Sequence, residues 1–437
     1  MFHVTIQRPL RWNITTQIIL LSLLDSLTGF PCWPAPRGLS AEEPPQREAA
    51  EAPRDWPVII TKLRQQTTSM PANTTIRKQL AIAYNNYAIS LSEQGNLEEA
   101  IKELKEALQL DAANLQFQHN LARLYLRVAA DAYRAHRSEA TKEAIDQALA
   151  ISPREAQAYA LLGELEYDRQ RLKEARAAWE EALAINPDLE AVHERLKQLN
   201  QELPVESRFE RLSQAYFDLR YTGELNHPAG FDIRDALLEA RRIVGADFQI
   251  WPTHKLVVLL YSAEQFRQLR QDTPDWVSGQ YDGKIRVPLP GKALNREAVL
   301  HTLTHEYTHA IVHEAVGNRV PTWLNEGLAE YEAYKHQQPP WPLLRKAQAE
   351  DRLISFEQLD AHFSYELSAE EVALAYQQSH SLVCYLVERY GFWRIRRLLK
   401  ALREGTALET IWNTEFHIKP ARLESEWRTW LANTLKK

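Results

Sequence analysis

From about Thr74 to Glu202, apolar positions recur three and four residues apart with polar residues between them, which predicts a run of amphipathic helices. The pattern repeats itself. Ala107-Leu-Gln-Leu-Asp111, Ala148-Leu-Ala-Ile-Ser152 and Ala182-Leu-Ala-Ile-Asn186 close three similar blocks. Ala148 and Ala182 stand 34 residues apart, whereas Ala107 and Ala148 stand 41 apart. Seven extra residues are therefore expected between the helices of the second block, around Arg127–Ser138. Past Pro204 the period changes. Gln214–Tyr221 and Lys255–Tyr261 pattern as strands, with an amphipathic helix over Phe231–Val244 between them. Gly279–Val287 is strand-like but broken by Asp282-Gly283, a hairpin turn signature. Helical spacing returns at Asn295 and runs to the end, interrupted by the Pro-rich stretch 339–342. Strands followed by helices imply an α+β domain.

At the N-terminus, Arg8 and Arg11 precede the apolar run Ile18–Leu24, which is too short to span a bilayer. Small residues follow at Ser26, Thr28 and Gly29. This predicts an export signal or N-terminal anchor over 1–33 and a destination in the bacterial periplasm or outside the cell, the alternative being a cytoplasmic protein with a frayed apolar start. No other transmembrane segment is expected. Residues 34–57, rich in Pro and Glu, have too little apolar surface to offset their ordering entropy and pattern as a disordered linker. The helical repeats then occupy 58–203 and the α+β domain 204–437.

A chain of 437 residues exceeds one ordinary core, in keeping with that division. A formal charge of −6 argues against nucleic acid as a partner. The basic cluster Arg394, Arg396, Arg397, Lys400 and Arg403 has helical spacing and is expected to be a solvated face. Two cysteines, Cys32 and Cys384, can make neither a disulfide framework nor a cysteine metal site. Any metal must be held by nitrogen and oxygen.

Residues 305–309 read HEYTH within the stretch Val299–Val316. On a helix His305 and His309 share one face a turn apart, so both imidazoles can reach one zinc ion, and Glu306 can take a proton from metal-bound water. Catalytic zinc usually has three protein ligands and an open position. Glu326, in Trp323-Leu-Asn-Glu-Gly-Leu-Ala-Glu330, supplies the third after a short connection through Gly317, Asn318 and the helix-starting Pro321. Glu330, one turn later, is placed to accept a hydrogen bond from the outer nitrogen of a histidine and fix its tautomer. Gly327 is expected to let the two helices approach. His301 and His313 extend the same helical ladder but are taken as helix-face residues, because one face delivers only two adjacent turns to an ion. Glu314 and Glu332 are placed at the surface. Val312 and Ala315 stand where a metzincin would need Gly and His, which excludes that class.

The repeats resemble a short tetratricopeptide (TPR) array: Tyr159, Leu162, Gly163, Ala175, Trp179, Ala182 and Pro187 carry its pattern of small residues at helix contacts and large ones beside them. HEYTH followed by WLNEGLAEY resembles the gluzincin metallopeptidases, in particular bacterial peptidase MA-like domains, over roughly residues 209–431. The fold implied is an α-helical TPR solenoid followed by an α+β gluzincin-like metallopeptidase domain. The resemblance implies zinc (Zn2+) on His305, His309 and Glu326, Glu306 as general base, and Glu330 in support of a histidine. It also implies a substrate-aligning edge strand over Trp276–Val287. A second oxyanion donor in such enzymes follows the third ligand, and Tyr376, in a helix expected over Glu370–Tyr390, matches that segment. His380 is its rival, with Tyr365 and Tyr385 more distant. The implied activity is hydrolysis of a peptide or protein substrate, with the repeats recruiting a protein partner. The alternative is a non-catalytic TPR adaptor whose C-terminal domain is degenerate. Turnover abolished by Glu306→Gln with metal retained separates the two.

Overall fold

The structure, a computed structural model, describes residues 55–222, 227–269, 280–289, 295–335, 341–364 and 367–436. The expected export segment, most of the Pro/Glu-rich linker, the start of the expected edge strand (276–279) and Tyr365 lie outside the described residues. The linker's last residues, Trp56 and Pro57, begin helix α1 (Trp56–Ser69), whose first turn is capped by Asp55. Two compact units divide between Asn200 and Gln201.

In the first unit, helices pair in sequence: α2 (Thr74–Glu93) with α3 (Leu97–Leu110), α4 (Leu115–Arg134) with α5 (Ser138–Ile151), and α6 (Ala156–Asp168) with α7 (Leu172–Ile185). Alanines sit where helices touch: Ala88, Ala100, Ala107, Ala122, Ala148, Ala158, Ala175 and Ala182 are all buried. Gly163 is the seat of Trp179. A Cβ there would lie 2.2 Å from the indole nitrogen, which donates instead to the Ala160 carbonyl at 3.2 Å. The seven extra residues do not form a connection. They lengthen the helix itself, since α2 and α4 each have 20 residues against 13 in α6. Neighbouring repeats are also tied by side chains the repeat pattern does not show. Asn120 donates to Asn85 at 2.7 Å, Arg127 donates to the Ser92 carbonyl at 2.8 Å, and Arg195 of α8 (Glu190–Glu206) grips Glu164 through two bonds of 2.8 and 3.0 Å.

The second unit holds a five-stranded sheet in the order β1-β2-β3-β5-β4 among the described residues. Its strands are β1 (Glu210–Ser213), β2 (Phe217–Tyr221), β3 (Leu256–Ser262), β4 (Gln280–Tyr281) and β5 (Ile285–Leu289). The three central strands run parallel, with α9 (His227–Phe248) as the crossover from β2 to β3, and the outer two pair antiparallel. Alternation decides what faces the core. Phe217, Leu219, Tyr221, Val258, Leu260, Ile285 and Val287 pack with Ile233, Leu237 and Val244 of α9. Leu259 and Tyr261 of β3 are buried on the other face against Phe266 of α10 (Ala263–Leu269), so this central strand is apolar on both sides.

The remaining helices are α11 (Arg296–Val316), α12 (Thr322–Ala333), α13 (Pro342–Ala349), α14 (Ala369–Tyr390), α15 (Phe392–Arg403), α16 (Leu408–Thr414) and α17 (Pro420–Thr434). Asn295 caps α11 by accepting from the Glu297 and Ala298 amides, and Ser368 with Glu371 forms a reciprocal cap on α14. Ile395, Leu398, Leu399 and Leu402 of α15 are buried while Arg397, Lys400 and Arg403 are exposed. Arg394 and Arg396, however, are half-buried and Arg396 donates to the Asp247 carbonyl at 2.7 Å, so only part of the cluster is the expected solvated face. No described helix is long and apolar enough to cross a membrane.

Candidate metal centre

Helix α11 puts His305 and His309 on one face, and α12 packs against it carrying Glu326 and Glu330. The two Nε2 atoms lie 3.1 Å apart, and each is 3.4 Å from Glu326 Oε2. Tetrahedral ligands at about 2.0–2.1 Å from a zinc ion stand roughly 3.3 Å from one another, so this triangle has the size one ion needs. The donor chemistry fits as well: two imidazole nitrogens and a carboxylate oxygen are a set that binds zinc. Among the described residues of this unit, these three form the group of convergent ligand atoms.

The surroundings decide charge. Burial works against charging His305, but hydrogen bonds that its ring donates to Glu326 and Glu330 outweigh it and lift its pKa well above the ordinary value. Burial likewise opposes charge on His309, and Glu326 overcomes it. Burial would raise Glu326, yet the two imidazoles hold its carboxyl far below the usual carboxylate range. The triad therefore favours positive charge at its centre, whether as protons or as a divalent cation. Glu330 Oε1 meets His305 Nδ1 at 3.0 Å, which directs His305 Nε2 toward Glu326 and His309. Glu306 is buried beside the triad on the same helix turn.

Helix α14 closes the site. The Tyr376 phenol hydrogen-bonds Glu326, its ring lies 6.5 Å from that of His305, and Phe363 packs edge-on against it at 5.2 Å. Burial, then the Glu326, Glu330 and Glu306 carboxylates, push its pKa well above 10, so it stays a donor at neutral pH. His380, one turn on, is turned to other partners. Its ring stacks on Tyr334 at 5.4 Å and its Nδ1 accepts from Trp341 Nε1 at 3.4 Å. Burial lowers it to about 4, only partly offset by Glu330. Tyr385 donates to Glu426 at 3.1 Å and is not brought to the triad. His301 lies edge-on to Tyr334, and His313 packs on Tyr281.

Two expectations are corrected. Glu332 is not at the surface. It is buried, with Lys335 Nζ at 3.4 Å, and that ammonium also holds Asp247 at 2.8 Å. Burial pushes the Glu332 pKa well above the usual carboxylate range, opposed by Lys335 and reinforced by Asp247, partners that helical spacing cannot reveal. Gly327 does ease a helix approach, but the neighbour is α14 rather than α11. A Cβ on Gly327 would meet the backbone of Ser379. Sequence patterning also missed the residues that fix α14 in place. Gln377 accepts from the Leu343 and Leu344 amides at the start of α13, and Gln378 exchanges bonds with the Ile354 backbone at 3.0 and 2.6 Å. The run Gln377-Gln378-Ser379, polar on a buried helix face, is the trace they leave.

Residues 289–433 match the Peptidase MA superfamily, and residues 90–128 match a TPR repeat. The chain is thus a helical TPR solenoid followed by a Peptidase MA domain. The matched stretch begins at 289, so the whole sheet except Leu289 of β5 lies outside it, and the resemblance from residue 209 is not covered to that extent. Among solved structures, the chain is similar to the first TPR of Spaghetti (RPAP3) bound to the HSP90 peptide SRMEEVD. Identity is 22% over 29% of this chain and 98% of that chain, with a TM-score of 0.22. The first TPR domain of human RPAP3 gives 21% identity over 29% of this chain and 94% of that chain, also with a TM-score of 0.22. No curated protein matches the chain.

Proposed function

We propose that this chain is a zinc-dependent peptidase in which His305, His309 and Glu326 hold the ion and Glu306 is the general base. The observation that carries the proposal is the triangle of Nε2, Nε2 and Oε2 at 3.1–3.4 Å, with Glu330 fixing one imidazole behind it. Bound zinc would acidify a water molecule and polarise the scissile carbonyl. Glu306 takes the proton from the attacking water and returns it to the leaving amine. Tyr376, kept protonated, donates to the oxyanion. Glu330 holds His305 in the tautomer that presents Nε2. The outer strand β4 aligns the substrate as an added strand. The TPR repeats recruit a protein partner, and the segment 1–33 directs export, which N-terminal sequencing of the native protein decides.

Zinc by elemental analysis and cleavage of an unstructured peptide, measured side by side, test the activity. Glu306→Gln should keep its metal while turnover falls by roughly 10²–10⁴-fold, the usual weight of a general base. A wild-type chain that binds zinc yet cleaves nothing would instead be the adaptor with a degenerate domain.

A further inference from the structure

Arg286 of β5 is only 2% exposed, and three carboxylates converge on it. Its Nη2 reaches Glu202 Oε1 at 3.0 Å and its Nη1 reaches Glu206, both at the end of α8. Its Nε reaches Asp282 Oδ2 at 3.1 Å, in the turn between β4 and β5. The Tyr261 hydroxyl of β3 joins the same guanidinium. Lys284, two residues before it, is equally buried. Removing so many ions from water costs several kcal/mol per ion before pairing, and an apolar cluster would hold these elements together as well or better. The placement gives the cluster a different use.

Among the described residues, β4 consists of Gln280 and Tyr281 and pairs with β5 at Gln280↔Arg286 and Tyr281↔Ile285. Two side-chain ties add to it. Tyr281 packs on His313 of α11 with ring centroids 5.8 Å apart, and Asp282 is held by Arg286. Ile285 and Val287 face α11 and the main core, so Arg286 between them acts from the opposite face of the sheet. It cannot touch a substrate laid along β4. We propose that Arg286 is a positioning residue: by anchoring Asp282 to the end of α8 it clamps β4 in register, so that the backbone of an extended polypeptide segment can add to it. This rests on the peptidase function proposed above.

Because Arg286 substitutions strand three buried carboxylates, a change costly enough to prevent folding, the test begins at the turn. Asp282→Ala leaves Arg286 paired with Glu202 and Glu206, and Asp282→Asn restores an acceptor for its Nε. Amide hydrogen exchange over 280–287 should quicken about tenfold or more in Asp282→Ala, a hydrogen bond to a charged group being worth at least that factor. Exchange should return toward wild type in Asp282→Asn. With zinc content and kcat unchanged, KM for a long unstructured peptide should rise about as much. KM for a minimal substrate spanning only the scissile bond should not move. Unchanged hairpin exchange in Asp282→Ala, or an equal loss for both substrates, overturns the inference. If the wild-type chain cleaves neither substrate, the peptidase function falls separately, and the exchange measurement still decides whether Arg286 holds the hairpin.

Discussion

A Cβ placed on Gly327 would stand 2.6 Å from the carbonyl oxygen of Ser379. The obstacle is backbone, not the end of a flexible side chain, so α12 and α14 must move apart to admit even one methyl group. Gly327 adjoins Glu326, and Ser379 stands three residues from Tyr376, so the two helices deliver site residues on either side of this contact. Gly327→Ala is expected to cost about 1–3 kcal/mol of stability, the usual penalty for overpacking. It should also weaken zinc binding, because Glu326 shifts with its helix. Thermal unfolding with a zinc titration measures both. A stable variant with unchanged zinc affinity would show that the contact tolerates a methyl group.

The two acids of α12 should separate cleanly. Glu326→Ala removes one of three donors and is expected to lose zinc and activity together. Glu330→Ala leaves the donor triangle but frees His305 Nδ1, and should weaken zinc by roughly 10–100-fold. Competition against a metal chelator gives both affinities. The opposite ranking would exchange their roles.

Tyr376→Phe deletes the hydroxyl and keeps the ring against Phe363. Zinc content and stability should hold while kcat falls by roughly 10²–10³-fold, as for other oxyanion donors. His380→Ala serves as the control, since His380 is committed to Trp341 and Tyr334. Normal turnover in Tyr376→Phe together with loss in His380→Ala would move the donor to His380.

His380 also has a signature in acid. Burial lowers its pKa to about 4 in the fold, against the ordinary 6.5. Between those values the unfolded chain binds more protons than the folded one, so stability is lost as pH falls from 6.5 toward 4. A single group contributes up to about 1.4 kcal/mol per pH unit over that window. Urea midpoints for wild type and His380→Gln across it should diverge, with the variant the less acid-sensitive. Parallel curves would mean that His380 does not titrate as its burial requires.

The parts of the site legible in the sequence were those written in short-range spacing. His305 and His309 lie one turn apart, and Glu326 and Glu330 lie one turn apart on the next helix. Each pair follows from 3.6 residues per turn alone. What stayed illegible depends on partners distant in the chain. Nothing near Arg286 announces Glu202 and Glu206, and nothing near Glu332 announces Asp247. Strand β1, Glu-Arg-Leu-Ser, carries no alternation to mark it, because its residues are largely exposed and its place is given by pairing with β2. Gly327 signalled a close approach without saying to what.

The long helices of the first two repeats bear on how this array can change length. A helix advances about 100° per residue, so seven residues fall only about 20° short of two full turns. Adding or removing them slides a helix end by roughly 10 Å while its buried stripe keeps its azimuth. An insertion of five or six would swing that stripe off its neighbours. The 20- and 13-residue helices are thus two settings of one ratchet, and a heptad deletion within α4 is the edit this scaffold should accept most readily.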